Sequence, residues 1–148
     1  MDDPAVAGHE SRLAGIDPLL PLAHPLPEPR PDDVRLAVTG AVGLARIDRP
    51  DPAAIEATRG AAEQHRLVPR VGGPDPVAAM RELLARWRAV VPAQPGAAGP
   101  DTEALLTWPS RDVAMTPLFL AHGFTPQTVV AVRQAGRAGP EVGVGQAT

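Results

Sequence analysis

The stretch from Asp101 to Arg133 constrains the fold of this chain most, because it reads as strand, helix and strand with clear boundaries. The run Glu103–Trp108 is short and apolar, which predicts a buried strand. Pro109 ends that run, and Val129–Val132 is the strongest β-forming run in the chain. A strand–helix–strand unit of this length predicts two neighbouring strands with the helix packed across one face of the sheet.

The helix inside this unit carries its own start and stop signals. Ser110 or Asp112 is expected to cap its N-terminus by accepting a free backbone N–H. The run Leu118–Leu120 supplies an apolar side, and Gly123 supplies the left-handed position at which a helix commonly ends. Phe124 is then expected to open the second strand.

The preceding residues add a hairpin, a helix and a further strand. Val34–Val38 and Val42–Ile47 are β-like runs separated by a turn at Thr39–Ala41. Asp51–Gln64 begins with Asp-Pro and is predicted to be a surface helix. Leu67–Val71 is predicted to be a short strand, although Pro69 lies within it.

The clearest helix follows this strand. Asp75 is its expected cap and Pro76 its first residue, and apolar residues then recur at three- and four-residue steps. These apolar residues are Val77, Met80, Leu83, Leu84, Trp87 and Val91. The whole order predicts an α/β (α+β) fold with a mixed β-sheet flanked by helices.

The chain is expected to divide into three parts. Residues 1–33 are a proline-rich arm, with a short helix around His9–Leu13 and six prolines in Asp17–Pro31. Residues 34–133 form the folded domain. Residues 134–148 are rich in Gly and Ala and are predicted to be a flexible tail or linker.

Composition excludes several classes of function. The net charge is −3, which argues against non-specific binding of nucleic acid. The chain has no cysteine, so it has neither disulfides nor thiolate chemistry, and its four histidines lack metal-ligand spacing. No secretory leader and no apolar run of membrane-spanning length is present, which predicts a cytoplasmic protein that does not enter a membrane.

Two segments carry a resemblance to the GNAT family of N-acetyltransferases. In that family the last helix reads Asn, an Ala three positions on, Leu-Tyr, and Gly-Phe four residues after the Tyr. The same frame here reads Asp112, Met115, Leu118-Phe119 and Gly123-Phe124. The family's acetyl-CoA loop, Gln/Arg-x-x-Gly-x-Gly/Ala, is similar to Arg70-Val-Gly-Gly73-Pro-Asp75. The resemblance covers residues 67–133.

This resemblance implies a GNAT-like acyl-CoA N-acyltransferase fold and acetyl transfer from acetyl-CoA to an amine. It assigns the cofactor site to the run Arg70–Gly73 (Arg70, Val71, Gly72 and Gly73), to Asp75 and to Asp112. Phe119 stands at the position of the Tyr that serves as the family's catalytic acid. The resemblance also implies a partner, either an adjacent acetyltransferase domain or a second copy of the chain.

Several residues depart from that pattern. A helix N-terminus binds phosphates through free backbone N–H groups, and Pro74 and Pro76 each remove one. Asp75 adds a carboxylate where the phosphates of CoA would lie. Phe119 has no proton to donate. Candidates for a general base, chosen by position alone, are His65, Glu63 and Glu103.

Two hypotheses of different classes therefore remain. The first is a weak or specialised acetyltransferase. The second, favoured by Pro74, Asp75 and Phe119, is a non-catalytic structural or regulatory module that packs against an active acetyltransferase domain.

Overall fold

The computed structural model of this protein describes residues 3–20, 25–54, 60–93 and 99–127. Within these ranges the chain forms three α-helices and four β-strands. Their order is α1 Pro4–Ile16, β1 Val34–Val38, β2 Ala41–Asp48, β3 Glu63–Val71, α2 Pro76–Val90, β4 Thr102–Leu106 and α3 Thr116–Ala121. A short 3-10 turn, Val91–Ala93, follows α2 directly.

The four strands form one mixed sheet in the order β1-β2-β3-β4. The pairs β1–β2 and β2–β3 are antiparallel, and β3–β4 is parallel with α2 as its crossover. The predicted hairpin is confirmed, with Val38 opposite Ala41 and Gly40 at a φ of 78° in the turn. The predicted fold class, a mixed sheet flanked by helices, is also confirmed.

Strand β3 is longer than predicted, since it begins at Glu63 rather than at Leu67. Pro69 is tolerated within it because β4 pairs only as far as Leu67. N–H directions alternate along a strand, so the nitrogen of Pro69 lies on the same side as that of Val71, whose N–H bonds to α1. Pro69 lacks a backbone N–H, but the sheet therefore loses no hydrogen bond at this position.

Helix α2 forms as predicted and supplies much of the core. Asp75 caps it, because its Oδ1 accepts the backbone N–H of Ala78 at 2.9 Å. The buried side of α2 packs with strand residues and with α3 in one apolar cluster. Its main members are Leu36, Ala45, Leu67, Val71, Met80, Leu83, Leu84, Trp87, Met115 and Leu118. Each fully buried Leu or Met side chain here contributes about 1.5–3 kcal/mol of hydrophobic stabilisation.

Three local predictions need correction. The helix predicted over Asp51–Gln64 does not reach its predicted end, because Glu63 and Gln64 already belong to β3; residues 52–53 form a turn, and 55–59 lie outside the described residues. Neither Ser110 nor Asp112 caps α3, which starts after Met115 without a side-chain cap. Residues 124–127 are irregular, so Phe124 does not open a strand; Val129–Val132 and the tail 134–148 lie outside the described residues.

Gly123 ends α3 as predicted. It has a φ of 85°, and the following N–H of Phe124 donates to the carbonyl of Phe119 at 3.0 Å. The left-handed backbone at Gly123 allows the chain to turn back, so that the carbonyls at the end of α3 gain partners.

The N-terminal arm contains a longer helix than predicted, α1, which packs against β2 and β3. Its capping residue Asp3 forms an ion pair of 3.0 Å with Arg35. Side chains alternate along β1, and Leu36 belongs to the core around α2, so Arg35 lies on the opposite face. The start of α1 therefore covers the face of the sheet that α2 leaves open.

The proline-rich segment lies along the domain over residues 25–33. Arg46 of β2 donates from Nη2 to Asp33 Oδ2 at 2.6 Å, and Arg30 donates to the carbonyl of Ile47 at 3.2 Å. The charges of Arg46 and Arg30, together with their hydrogen bonds, outweigh the burial of Asp33 and lower the pKa of its carboxyl. This arm is therefore fixed to β2 by polar contacts, of which the Arg46–Asp33 pair is the more buried.

Candidate functional site

The run Arg70–Asp75 connects the end of β3 to the start of α2, where the resemblance to the GNAT family places a cofactor loop. Gly72 donates its N–H to the carbonyl of Gly40 at 2.8 Å, which extends the contact with the β1–β2 turn. Gly73 has a φ of 79°, a left-handed conformation that favours glycine. The loop is thus a tight glycine turn that ends at the Asp75 cap of α2.

Helix α1 lies directly on this glycine turn. A Cβ atom placed on Gly72 would lie 3.0 Å from the Cα of Gly8 and 3.0 Å from the carbonyl oxygen of Ala5. A Cβ placed on Gly8 would lie 3.0 Å from the Cα of Gly72 and 3.3 Å from the nitrogen of Gly73. Two backbones approach this closely only where both lack side chains. No space remains between α1 and the turn for another molecule.

His9 is the second contact between α1 and this region. Its Nδ1 accepts the backbone N–H of Val71 at 3.2 Å, and its side chain is buried. Burial, with a further contribution from the charge of Arg70, lowers the pKa of His9 to about 4. The ring is therefore neutral near pH 7, as an acceptor at Nδ1 must be.

Asp112 is the third contact. Arg12 of α1 reaches both of its carboxylate oxygens, with Nη2 2.6 Å from Oδ1 and Nη1 2.6 Å from Oδ2. Trp108 also donates from Nε1 to Oδ2 at 2.9 Å. The Asp112 side chain is only 3% exposed, so a buried, charge-assisted pair links α1 to the segment before α3.

The side chain of Arg70 turns back toward the proline-rich arm. Its Nη1 donates to the carbonyl of Pro69 at 2.8 Å, and its Nη2 lies 3.5 Å from the carbonyl of Pro25. Burial lowers the pKa of its guanidinium, while the charge of Glu10 acts in the opposite direction. These contacts hold Arg70 near the arm and beside α1.

Phe119 belongs to a row of rings. It meets Trp108 edge-on at 6.0 Å between centroids and Phe124 edge-on at 6.4 Å. Phe124 in turn stacks on Trp87 at 6.0 Å, and Trp108 lies 5.4 Å from the ring of His9. The row connects α2 to α1, so Phe119 acts as a packing residue with favourable edge-to-face geometry.

The three candidate bases lie at the opposite end of β3. His65 Nε2 lies 2.9 Å from Glu63 Oε1, and Oε2 of Glu63 pairs with Arg49 at 2.9 Å. Glu103 Oε1 accepts the N–H of Ala61 at 3.0 Å. Val71 lies six residue steps along β3 from His65, which corresponds to about 20 Å. The structure does not bring these groups to the glycine turn.

Two surface depressions lie near these regions. One of about 210 Å³ borders Gly73 and the start of α1, and Asp3 is the charged residue in its lining. The other, of about 400 Å³, lies near Arg30, Asp48 and Arg49. Arg30 pairs there with Asp48 at 2.9 Å. The smaller depression has no arginine among the described residues that line it, and the arginines of the larger one already pair with carboxylates, Arg30 with Asp48 and Arg49 with Glu63.

The contribution of α1 to this region was not predicted from the sequence. The sequence pattern that could have indicated it is the four-residue spacing of Ala5, His9 and Leu13, which are the three buried residues of α1. A buried His in that step indicates a polar partner beneath the helix. Within the described ranges, no group of three or more His, Asp and Glu side chains could hold a metal ion, and no helix is long and apolar enough to cross a membrane.

Comparisons with known proteins identified no relative of this chain. No protein-family model, no curated protein and no solved structure matches this chain.

Proposed function

We propose that this chain is a non-catalytic domain of GNAT-like architecture, a structural or regulatory module rather than a working acetyltransferase. The observation that carries the proposal is the position of α1, whose residues Gly8 and His9 lie on Val71 and Gly72. The resemblance assigns that same run to acetyl-CoA. A cofactor could reach it only after α1 leaves.

The groups needed for acetyl transfer support the same conclusion. The carboxylate of Asp75 accepts an N–H from the first turn of α2. This is the helix end at which free N–H groups would otherwise bind phosphates. Phe119 has no acidic proton and packs between aromatic rings. His65 and Glu63 pair with each other, far along β3 from the glycine turn. Acid, base and cofactor positions therefore do not converge.

Two large apolar side chains near α3 remain exposed. Val113 is 73% exposed and Leu120 is 54% exposed, on the segment that forms and precedes α3. Large apolar side chains at this exposure are available to a neighbouring domain. We propose that such a neighbour is an acetyltransferase domain, since the resemblance implies that family.

Thermal unfolding of the full chain with and without 1 mM acetyl-CoA tests the proposal. A ligand that binds only the folded state stabilises it by RT ln(1 + [L]/Kd), which is about 2.7 kcal/mol at a hundredfold excess over Kd. For a domain of this size that corresponds to a shift of several degrees in Tm. We expect a shift below about one degree, because α1 occupies the turn.

The variant Arg70→Ala is the matched control. A clear increase in Tm with acetyl-CoA that is present in the native chain and lost in Arg70→Ala would support the acetyltransferase hypothesis and contradict this proposal. Equal, near-zero shifts in both proteins support a non-catalytic domain.

A further inference from the structure

Helix α1 is attached to the domain by specific polar and backbone contacts and by the burial of Ala5 and Leu13. The main apolar cluster, which joins the sheet to α2 and α3, includes no α1 residue among those the structure describes. The specific contacts of α1 are the close backbone approach at Gly8, the hydrogen bond of His9, and the ion pairs of Arg12 and Asp3. The docking of α1 therefore adds to the apolar cluster around α2 and meets it at Val71.

The surface beneath α1 offers three features that a docking helix must match. It offers the backbone N–H of Val71 as a donor, the bare Cα of Gly72 for close approach, and the carboxylate of Asp112 as a charge partner. A helix that satisfies all three must present Gly, a hydrogen-bond acceptor and Arg on one face. The run Gly8-His9-x-x-Arg12 does this, because positions three and four apart share a helix face.

The tether between α1 and the rest of the domain has limited reach. The proline-rich arm is fixed to the sheet from Pro25 onward, through Arg70, Arg46 and Arg30. Residues 17–24 thus connect the end of α1 to Pro25, and eight residues span at most about 28 Å. When α1 leaves the surface, its end therefore stays within about 28 Å of Pro25, which limits exchange to a copy within that distance.

We propose that the surface formed by Val71, Gly72 and Asp112 is a helix-acceptor site, and that its partner in trans is the α1 helix of a second copy of this chain. Reciprocal exchange would reproduce every contact that α1 makes within one chain. The balance between the two forms then depends on the effective concentration of the tethered helix. Identical chains therefore favour the closed monomer, and a charge match that exists only between two chains favours exchange.

Charge reversal across the Arg12–Asp112 pair tests the exchange in full-length chains. In Arg12→Asp, and separately in Asp112→Arg, the pair becomes like-charged within each chain. When the two variants are mixed, each α1 meets an opposite charge on the other chain. We expect a 1:1 heterodimer in the mixture by native mass spectrometry and sedimentation, with each variant alone forming dimers at least about tenfold more weakly.

The chain that carries both reversals is the matched control, because it restores opposite charges internally, and we expect it to remain a monomer. Monomers in the mixture at concentrations of up to about 100 μM would overturn the proposal, since exchange should be favourable there.

A second measurement keeps the test independent of the folding of Asp112→Arg. A fluorescent peptide of residues 3–20 is added to full-length Arg12→Asp, in which the acceptor residues are native. We expect it to bind at least about tenfold more tightly than the same peptide with Arg12→Ala, because only the first supplies the partner of Asp112. Equal affinities, or no binding of either peptide, would overturn the proposal.

Discussion

His9 Nδ1 accepts the backbone N–H of Val71 at 3.2 Å, so a side chain of the first helix completes the hydrogen bonding of a strand in the middle of the sheet. Val71 is fully buried, and β4 ends its pairing four residues earlier, at Leu67. Without His9 this N–H would be buried without a partner, which costs about 1–3 kcal/mol. The imidazole therefore accepts an N–H beyond the last residue pair between β3 and β4, where β4 offers no partner.

This contact makes the stability of the fold dependent on pH. The pKa of His9 is about 4 in the folded chain and 6.5 in the unfolded chain, so the unfolded chain binds more protons between these values. Stability from this group is fully present above pH 6.5 and is lost as the pH falls toward 4. Between pH 7.5 and 4.5 we expect a loss of about 2–3 kcal/mol in the free energy of unfolding.

Urea unfolding at the two pH values measures this loss. His9→Asn is the control, because its Oδ1 can accept the same N–H and does not titrate. The difference between pH 7.5 and 4.5 should shrink by about 2 kcal/mol or more in the variant. An equal pH dependence in both proteins would show that His9 does not carry it.

A second prediction uses two glycines of α1. Gly8→Ala places a methyl group 3.0 Å from the Cα of Gly72, a contact between backbones that only a shift of α1 can relieve. We expect it to lower the free energy of unfolding by about 1–3 kcal/mol. Gly15→Ala adds the same methyl group in the same helix where nothing lies within 4 Å, and should raise it by about 0.5–1 kcal/mol.

Chemical denaturation of both variants gives the comparison directly. The opposite signs are the critical result, because helix propensity alone would stabilise both. If Gly8→Ala were as stabilising as Gly15→Ala, α1 would not lie against the glycine turn.

Local sequence signals predicted most of the central domain correctly. The start of α2 was predicted from Asp75-Pro76, and its buried face from the apolar steps to Trp87, because a cap and a buried face both act within one helix. Gly40 and Gly123 marked their turns, since both positions need a left-handed backbone. These features depend on neighbours in the chain, which is why the sequence alone was sufficient to find them.

The candidate site was harder to predict because its contacts are long-range. Arg12 and Asp112 are 100 residues apart, so nothing near Asp112 indicates that α1 will take its carboxylate. Asp112 was expected to cap α3, but its carboxylate bonds Arg12 and Trp108. The length of β3 was underestimated for a similar reason, because its first residues are polar and gain their strand partners from β2 and β4.

The cap of α2 gives a third prediction. Asp75→Ala removes the acceptor of the Ala78 N–H and should cost about 1 kcal/mol of stability. Asp75→Ser retains an acceptor oxygen and should change stability by only a few tenths of that. Urea unfolding at pH 7 distinguishes the two. Equal losses would mean that the Asp75 carboxylate stabilises α2 through charge rather than through the cap hydrogen bond.

Phe119→Tyr tests the proposed loss of catalysis, because it supplies the hydroxyl that the resemblance assigns to the acid. We expect no acetyl transfer from this variant, since α1 still covers the glycine turn and no base lies near it. Release of CoA in the presence of a panel of primary amines can be followed with a thiol reagent, and the absence of cysteine from the chain removes the protein's own signal. Activity in Phe119→Tyr that disappears when Arg70→Ala is added would mean that acetyl-CoA does reach the turn, and that the missing acid alone had silenced the domain.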